Sequence, residues 1–220
     1  KTALEDVSFS LCRGQILGVI GVEGNGQTEL AGILSGKISD YAGKVYVNGK
    51  DIKGMDMEKI RALGVGYISE DRMEEGADLE GSLLDNAISI SYRQEGFQKA
   101  GIINKKKSIA YTKDIIDDYN VKCSSYKEKI RNLSGGNMQK IVSAREIDAA
   151  KVLLVANQPT RGVDVAAVIT IHGKLQKLQK DQKGILLISS DLSEIYQLCQ
   201  KAIVFYDGRI VAFIDHLEKC

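Results

Sequence analysis

The segment from Gly21 to Thr28 contains residues whose types and spacing predict phosphate binding. Gly21 and Gly26 frame a turn that leads into Gln27-Thr28, the spacing of a phosphate-binding loop, GxxxxGK[ST], with Gln27 in place of lysine. The glycines let backbone N–H groups point into one concavity, and a helix start adds partial positive charge. Thr28 could offer its hydroxyl to Mg²⁺, whereas Gln27 lacks the ammonium that neutralises phosphates. A tight turn between strand and helix is the alternative. The candidate phosphate-binding residues are Gly21, Gly24, Asn25, Gly26, Gln27 and Thr28.

A second candidate anion site is Ser134-Gly135-Gly136, within the segment Asn132–Lys140. The Ser134 hydroxyl and the glycine amides at a helix start would face a phosphate. A helix N-cap serine with two permissive glycines is the alternative interpretation. Leu-Ser-Gly-Gly followed by a polar residue is the signature of ABC transporter cassettes, and the chain resembles that family.

The resemblance extends to the strand Val152–Ala156, which is followed by Asn157-Gln158-Pro159-Thr160. This tetrapeptide aligns with the family's Asp-Glu-Pro-Thr. The resemblance therefore implies that Asn157 replaces a Mg²⁺-binding aspartate and that Gln158 replaces the glutamate that polarises water. An amide cannot act as a general base or balance the charge of a metal ion. Two further positions depart from the family pattern: Glu70 stands for the Q-loop glutamine and Ser190 for the switch histidine.

These departures predict that the chain's own site does not hydrolyse ATP. Gln158 and Ser190 are then degenerate catalytic positions. Thr28, Glu70 and Asn157 are the positions at which the resemblance would place Mg²⁺. The resemblance therefore implies ATP and Mg²⁺ as cofactors, weakly bound or absent at this site. ATPase activity is expected of a full transporter and not of this chain alone.

The surrounding pattern predicts an α/β fold. An apolar run at Gln15–Gly21 is typical of a strand covered on both faces, and Gln27–Leu34 has helical spacing. Alternation predicts a half-buried strand at Val7–Leu11, and alternation followed by an Asn-Gly turn predicts a β-hairpin at Lys44–Lys50. After residue 152 the sequence predicts strands at 152–156 and 184–188, a helix at 166–180, and a hairpin at 202–206 and 209–214.

The resemblance implies a P-loop NTPase fold, the ABC cassette, with an antiparallel β subdomain and an inserted helical subdomain. Residues 1–220 are predicted to form one such domain, a piece of a longer polypeptide, with the helical subdomain near residues 76–130. The segment from about 82 to 130 is polar, mostly helical in pattern and poor in strand signals.

Composition narrows the possible partners. The net charge of +1 gives no electrostatic case for nucleic acid or an anionic membrane surface. Lys105-Lys106-Lys107 is the only basic run, and a solvated face is the favoured interpretation. The four cysteines lack metal-ligand spacing and indicate a reducing, intracellular compartment. No signal peptide and no membrane-length apolar run is present, so any membrane association is expected to need a partner. His172 is expected to be structural.

Three segments are similar to the second cassette of bacterial importers that carry two fused cassettes: Glu23–Gln27, Glu70–Arg72 and Ser134–Lys140. Such importers take up sugars such as ribose and galactose, or nucleosides. The run from Asn157 to Gly162 is more similar to the nucleoside branch, and a sugar importer is the alternative.

The resemblance also implies partners and a location. A partner cassette would bind ATP against Ser134, Gly135 and Gly136, with transmembrane permease subunits and a substrate-binding lipoprotein completing the system. The expected location is the cytoplasmic face of the cell membrane, as a peripheral component, without nucleic acid. A soluble ABC-type ATPase of translation or DNA repair is disfavoured, because no long coiled coil or basic excess is present. A regulatory or scaffold module that never touches ATP is the remaining alternative.

Overall fold

The computed structural model describes residues 3–217. Its centre is a six-stranded sheet in the order β10-β9-β1-β8-β7-β4. The four central strands of this order, β9, β1, β8 and β7, are parallel to one another, and β10 pairs antiparallel with β9. The strands are β1 (Ile16–Ile20), β2 (Tyr46–Val47), β3 (Lys50–Asp51), β4 (Val65–Ile68), β5 (Gln98–Lys99), β6 (Ile102–Ile103), β7 (Leu153–Asn157), β8 (Gly184–Ile188), β9 (Lys201–Tyr206) and β10 (Arg209–Ile214).

Seven α-helices accompany the strands within residues 3–217. They are α1 (Gln27–Ser35), α2 (Met57–Ala62), α3 (Leu83–Ile88), α4 (Lys105–Asp118), α5 (Gly135–Ala149), α6 (Val165–Lys180) and α7 (Leu192–Leu198). A short π-helical turn spans Arg72–Gly76, and a 3₁₀ turn spans Ile130–Asn132. The predicted helices at 27–34 and 166–180 are confirmed to within a residue or two at their ends.

The described chain forms two compact units. The first contains residues 3–67, 150–158 and 175–217, and the second contains residues 68–149 and 159–174. The second unit is larger than the helical segment predicted at 76–130. It includes the residues on both sides of that segment, the loop that precedes α6 and the first part of α6.

The core of the first unit consists of apolar side chains from the sheet and from α1. Val19, Val155, Leu186 and Phe205 are almost completely buried. Burial on both faces explains why β1, β7 and β8 are continuous apolar runs in the sequence. The short hairpin of β2 and β3 was also predicted, and Asn48 and Gly49 turn it with positive φ angles of 49° and 79°.

The predicted strand at Val7–Leu11 is wrong. These residues alternate between half-buried and exposed, and Val7, Phe9 and Leu11 pack against the core of the first unit. However, the segment belongs to none of the sheets in residues 3–217. An alternating pattern shows that one side of an extended segment is covered, but a strand also needs a hydrogen-bonded neighbour.

In the second unit, helices α3, α4 and α5 pack against one another. Leu83, Ile115, Ile130 and Ile141 are buried there. The segment from 82 to 130, which is mostly helical in its sequence pattern, also contains a small antiparallel hairpin formed by β5 and β6. Strands of two residues are too short to give a periodic signal in the sequence.

Candidate functional site

Three of the predicted site segments leave the same edge of the sheet. In the parallel register Val19 pairs with Ile188, and Asn157 pairs with the same Ile188. The glycine loop follows β1, Gln158 follows β7, and Ser190 follows β8 by two residues. Loops at the carboxyl ends of parallel strands are the usual place for ligand sites in such sheets.

The glycine loop has a defined backbone conformation. Gly24 and Gly26 have φ angles of 90° and 112°, which glycine adopts without strain. Gly26 forms the N-terminal cap of α1, and a Cβ there would lie only 2.7 Å from Leu4 Cδ2. Asn25 closes the loop, because its Nδ2 donates to Val22 O at 2.8 Å and its Oδ1 accepts from Asp207 N at 2.7 Å. The loop is therefore preformed, and the first turn of α1 points its free N–H groups toward it.

Gln27 is folded back into this loop. Its side chain is 7% exposed, and its Nε2 donates to Val22 O at 3.2 Å. Its Oε1 is buried without a hydrogen-bond partner in the described chain, and a Cβ on Gly21 would clash with the amide nitrogen. Thr28 is exposed on the first turn of α1. A neutral amide thus lies where a phosphate loop carries its ammonium group.

The donors present do not fit a Mg²⁺–triphosphate complex. Asn157 is buried at the end of β7 and supplies no carboxylate. Within residues 3–217 no group of three or more histidine, cysteine, aspartate or glutamate side chains could hold a metal ion. Without a cation in the loop and a carboxylate at the strand end, neither the phosphates nor the metal charge would be balanced.

Gln158 and Ser190, which the sequence predicts to be degenerate catalytic positions, contact each other. The Gln158 Oε1 accepts hydrogen bonds from Ser190 N and Ser190 Oγ, both at 3.2 Å. Gln158 N donates to Ile188 O at 2.8 Å, and Gln158 has a positive φ of 51°. The amide oxygen is thus already engaged, so this pair holds the two loops together and offers no base to a water molecule.

The signature segment lies in the second unit, at the start of the 15-residue helix α5. Ser134 is exposed, and its Oγ accepts from Asn137 Nδ2 at 2.8 Å and from Asn137 N at 3.4 Å. Gly136 is buried, and a Cβ there would lie 2.5 Å from Asp164 Oδ2. Asp164 itself caps α6 by accepting from Ala167 N at 2.9 Å. Ser134 is therefore the predicted signature residue that presents a side-chain hydroxyl to solvent.

Glu70 and Arg72 both form hydrogen bonds with Arg161 or Gly162, in the loop before α6. Arg161 Nη1 donates to the Glu70 carboxylate, and Arg72 Nη1 donates to Arg161 O at 2.7 Å. Arg72 Nη2 also donates to Gly162 O at 3.4 Å. A Cβ on Gly135 would lie 2.9 Å from the same Arg72 Nη2. Glu70, a predicted Mg²⁺ position, thus has its carboxylate paired with an arginine. Glu70–Arg72 stands out in the sequence only through the family resemblance, and no local pattern signals these contacts of Arg72.

Asp71 fixes the turn that carries Arg72. Its carboxylate accepts from Glu74 N and Met73 N, both at 2.9 Å. These hydrogen bonds from Glu74 and Met73 lower the pKa of Asp71 below its ordinary value.

The sequence profile that describes the ABC transporter family matches residues 4–161. The chain belongs to the ABC transporter family. The family resemblance of the signature and the glycine loop is thus confirmed for the ABC transporter family as a whole.

Among named relatives, this cassette is 36% identical over 215 residues to the guanosine import ATP-binding protein NupO of Bacillus subtilis, covering 98% of the chain and 42% of that protein. The nucleoside import ATP-binding protein NupA of Lactococcus lactis is 33% identical, with coverage of 96% and 42%. The ribose import ATP-binding protein RbsA of Chelativorans sp. is 33% identical, with coverage of 94% and 40%. The chain thus spans about two fifths of the length of these relatives.

Solved structures confirm the predicted P-loop α/β cassette fold. A dimeric ATP-binding cassette bound to ADP and Pi superposes with a TM-score of 0.83 at 18% identity, over 98% of this chain and 90% of that one. An ATP-binding subunit of an ABC transporter gives a TM-score of 0.77 at 20% identity, over 96% of this chain and 82% of that one. No helix within residues 3–217 is long and apolar enough to cross a membrane.

Proposed function

We propose that this cassette is a degenerate ATP-binding domain of a nucleoside importer, and that its signature segment completes the ATP site of a partner cassette. The observation that carries the proposal is an asymmetry within the chain. The phosphate loop holds a buried neutral amide, Gln27, whereas Ser134 stays accessible at the start of α5. We further propose that the chain is one cassette domain in which residues 76–130 form the helical insertion.

The cassette's own site is proposed to be inactive in hydrolysis. Gln158 cannot take a proton from water, and its amide oxygen already accepts from Ser190. Gln27 places no charge beside a phosphate and donates to Val22 O instead. Restoring a single group would leave the others deficient, since catalytic groups that act as a unit are not additive.

The signature segment is proposed to act in trans. The first N–H groups of α5 lack partners within the helix, and they carry the partial positive charge of the helix dipole. Ser134 adds a hydroxyl at that end, and a bound γ-phosphate of a partner's ATP would meet both. The contacts of Arg72 with the loop before α6 hold the preceding segment against the same helix start.

Nucleosides are the proposed cargo. The relatives named for guanosine and nucleoside import support this choice, as does the run Asn157-Gln158-Pro159-Thr160-Arg161-Gly162. The relatives named for ribose import make a sugar the second candidate. Uptake of labelled guanosine, competed separately by unlabelled nucleosides and by ribose, distinguishes the two: competition by ribose alone would favour the sugar importer.

The proposed partners are a second cassette, transmembrane permease subunits and a substrate-binding lipoprotein. The proposed location is the cytoplasmic face of the membrane, where the cassette is peripheral. ATP and Mg²⁺ are proposed to act at the partner's site.

Nucleotide binding tests the proposal directly. A fluorescent ATP analogue is titrated against the chain alone and against the chain with its partner cassette. Weak or absent binding alone, and a lower dissociation constant for the pair than for the partner cassette by itself, is the expected result. The chain alone, with or without Gln158→Glu, should show no steady ATP hydrolysis. If the pair binds no better than the partner cassette alone, the cassette is a scaffold and the proposal fails.

A further inference from the structure

The hairpin formed by β5 and β6 presents apolar side chains to solvent. Its turn, Ala100-Gly101, has φ angles of 51° and 80°, as in the tight two-residue turns that suit a twisted hairpin. Ile102 is 76% exposed and Ile103 is 43% exposed. Exposing two adjacent isoleucines to water is unfavourable, because burying their apolar surface would lower the free energy.

The hairpin is held firmly at its base. Phe97 is buried, and its ring packs edge-on against Tyr111 of α4 with centroids 5.3 Å apart and an interplanar angle of 85°. Asn104 N donates to Phe97 O at 2.7 Å, and Asn104 Nδ2 donates to Gly96 O at 3.3 Å. The exposed tip is therefore presented on a fixed support.

Positive charge is concentrated around this tip. Residues 93–107 include five basic side chains and one acidic side chain, so this stretch has a formal charge of +4 in a chain of net charge +1. The rest of the chain is correspondingly negative, which is why the total charge conceals the cluster. Lys99, Lys105 and Lys106 are exposed, and Lys107 reaches Glu95 O at 3.2 Å and the Phe97 ring at 4.6 Å.

We propose that this hairpin docks on an anionic phospholipid surface, with Ile102 and Ile103 entering the boundary between headgroups and acyl chains. The lysines at 99, 105 and 106 would lie at the level of the lipid phosphates. Apolar side chains beside a basic cluster are the combination that such surfaces attract. A nucleic acid would satisfy the lysines but leave the isoleucines in water, and the tip has no aromatic ring for a base to stack on.

Vesicle flotation with the whole chain tests the proposal. The probes are phosphatidylcholine vesicles with and without phosphatidylglycerol, in salt of about 0.1 M and about 0.5 M. The chain should float with the anionic vesicles at low salt and much less at high salt. Absence of binding to anionic vesicles, or equal binding to both kinds, overturns the proposal.

Matched variants separate the two contributions. Lys105→Gln with Lys106→Gln should weaken binding about 25-fold, at about fivefold per lysine near the surface. Lys44→Gln with Lys50→Gln removes the same charge from exposed positions elsewhere and should weaken binding less than twofold. Ile102→Ser should weaken binding with the salt dependence unchanged. An equal loss in both lysine pairs shows nonspecific attraction and overturns the proposal.

Two further readouts complete the test. A single-stranded oligonucleotide replaces the vesicles, and tight binding that also depends on Lys105 and Lys106 would assign the cluster to nucleic acid and overturn the proposal. Circular dichroism establishes that each variant is folded. Vesicle flotation measures lipid binding and needs neither ATP nor a transported substrate. Its outcome is therefore independent of the proposed importer function.

Discussion

Adding a negative charge at Ser134 should stop the complete transporter if the signature segment faces a partner's ATP. Aspartate is as good a helix N-cap as serine, so Ser134→Asp keeps the cap that now accepts from Asn137 N. Ser134→Asn is the matched control, because it has nearly the same shape and capping ability without the charge. Ser134 is exposed, so neither side chain has to enter the core.

The size of the effect follows from Coulomb's law. A carboxylate about 4 Å from a γ-phosphate charge, at an effective dielectric constant of about 20, adds about 4 kcal/mol of repulsion, which is roughly a thousandfold in rate or affinity. Gly136→Asp is a poorer test than Ser134→Asp. A Cβ at Gly136 would lie 2.5 Å from Asp164 Oδ2, so that variant would disturb its own unit before any nucleotide is bound.

The assay is ATPase activity and nucleoside uptake by the complete transporter. Ser134→Asp should lower both about a thousandfold, whereas Ser134→Asn should keep most of the activity. Gln158→Ala, at the degenerate position, should change both only modestly. Full activity with Ser134→Asp would refute the reasoning, and an equal loss with Gln158→Ala would show that the degenerate site takes part in catalysis.

Three further predictions concern the chain itself. Gln27→Met removes a buried amide oxygen that has no hydrogen-bond partner among residues 3–217, and Val22 O, which now accepts from Gln27, keeps its hydrogen bond from Asn25. This variant should stabilise the chain by about 1 kcal/mol in urea unfolding; a loss of stability would contradict this. Arg145→Met removes a buried guanidinium that contacts two carbonyl groups and Glu146 and should destabilise by about 3–5 kcal/mol in the same measurement. Arg131→Met, which removes an exposed pair, should cost under about 1 kcal/mol. Burial raises the pKa of the Cys199 thiol to about 12 from an ordinary 9.0, so the folded state keeps its proton longer and the free energy of unfolding should fall as the pH rises through that range. Cys199→Ala should remove this part of the fall.

The sheet could be predicted because its strands leave a strong pattern. β1, β7 and β8 are covered on both faces, so they are apolar runs, and their boundaries agree with the structure within a residue or two. The segment Val7–Leu11 shows the limit of the same reasoning. Its alternation is real in the burial of its side chains, but pairing depends on a neighbour that a local pattern does not specify.

The candidate site could be predicted where a motif is local and contiguous. The glycine loop, the signature and the end of β7 are such motifs. The contacts of Arg72 are not, because its partners Arg161 and Gly162 are about 90 positions away in the chain. The positive charge near the β5–β6 hairpin was underestimated for another reason. The net charge is a sum over the whole chain, and the lysines near Ile102 are offset by acidic residues elsewhere.

The residues that depart from the family pattern are mostly satisfied by local partners. The Gln158 oxygen accepts from Ser190, the Glu70 carboxylate pairs with Arg161, and the Gln27 nitrogen donates to Val22 O. A catalytic group must keep a reactive atom free for water, metal or phosphate, whereas these atoms are already engaged. Each of these residues is thus compatible with its neighbours in a non-hydrolytic state. In the proposed degenerate cassette, these positions would therefore act as structural contacts, and the fold and the signature segment could persist without hydrolysis at the chain's own site.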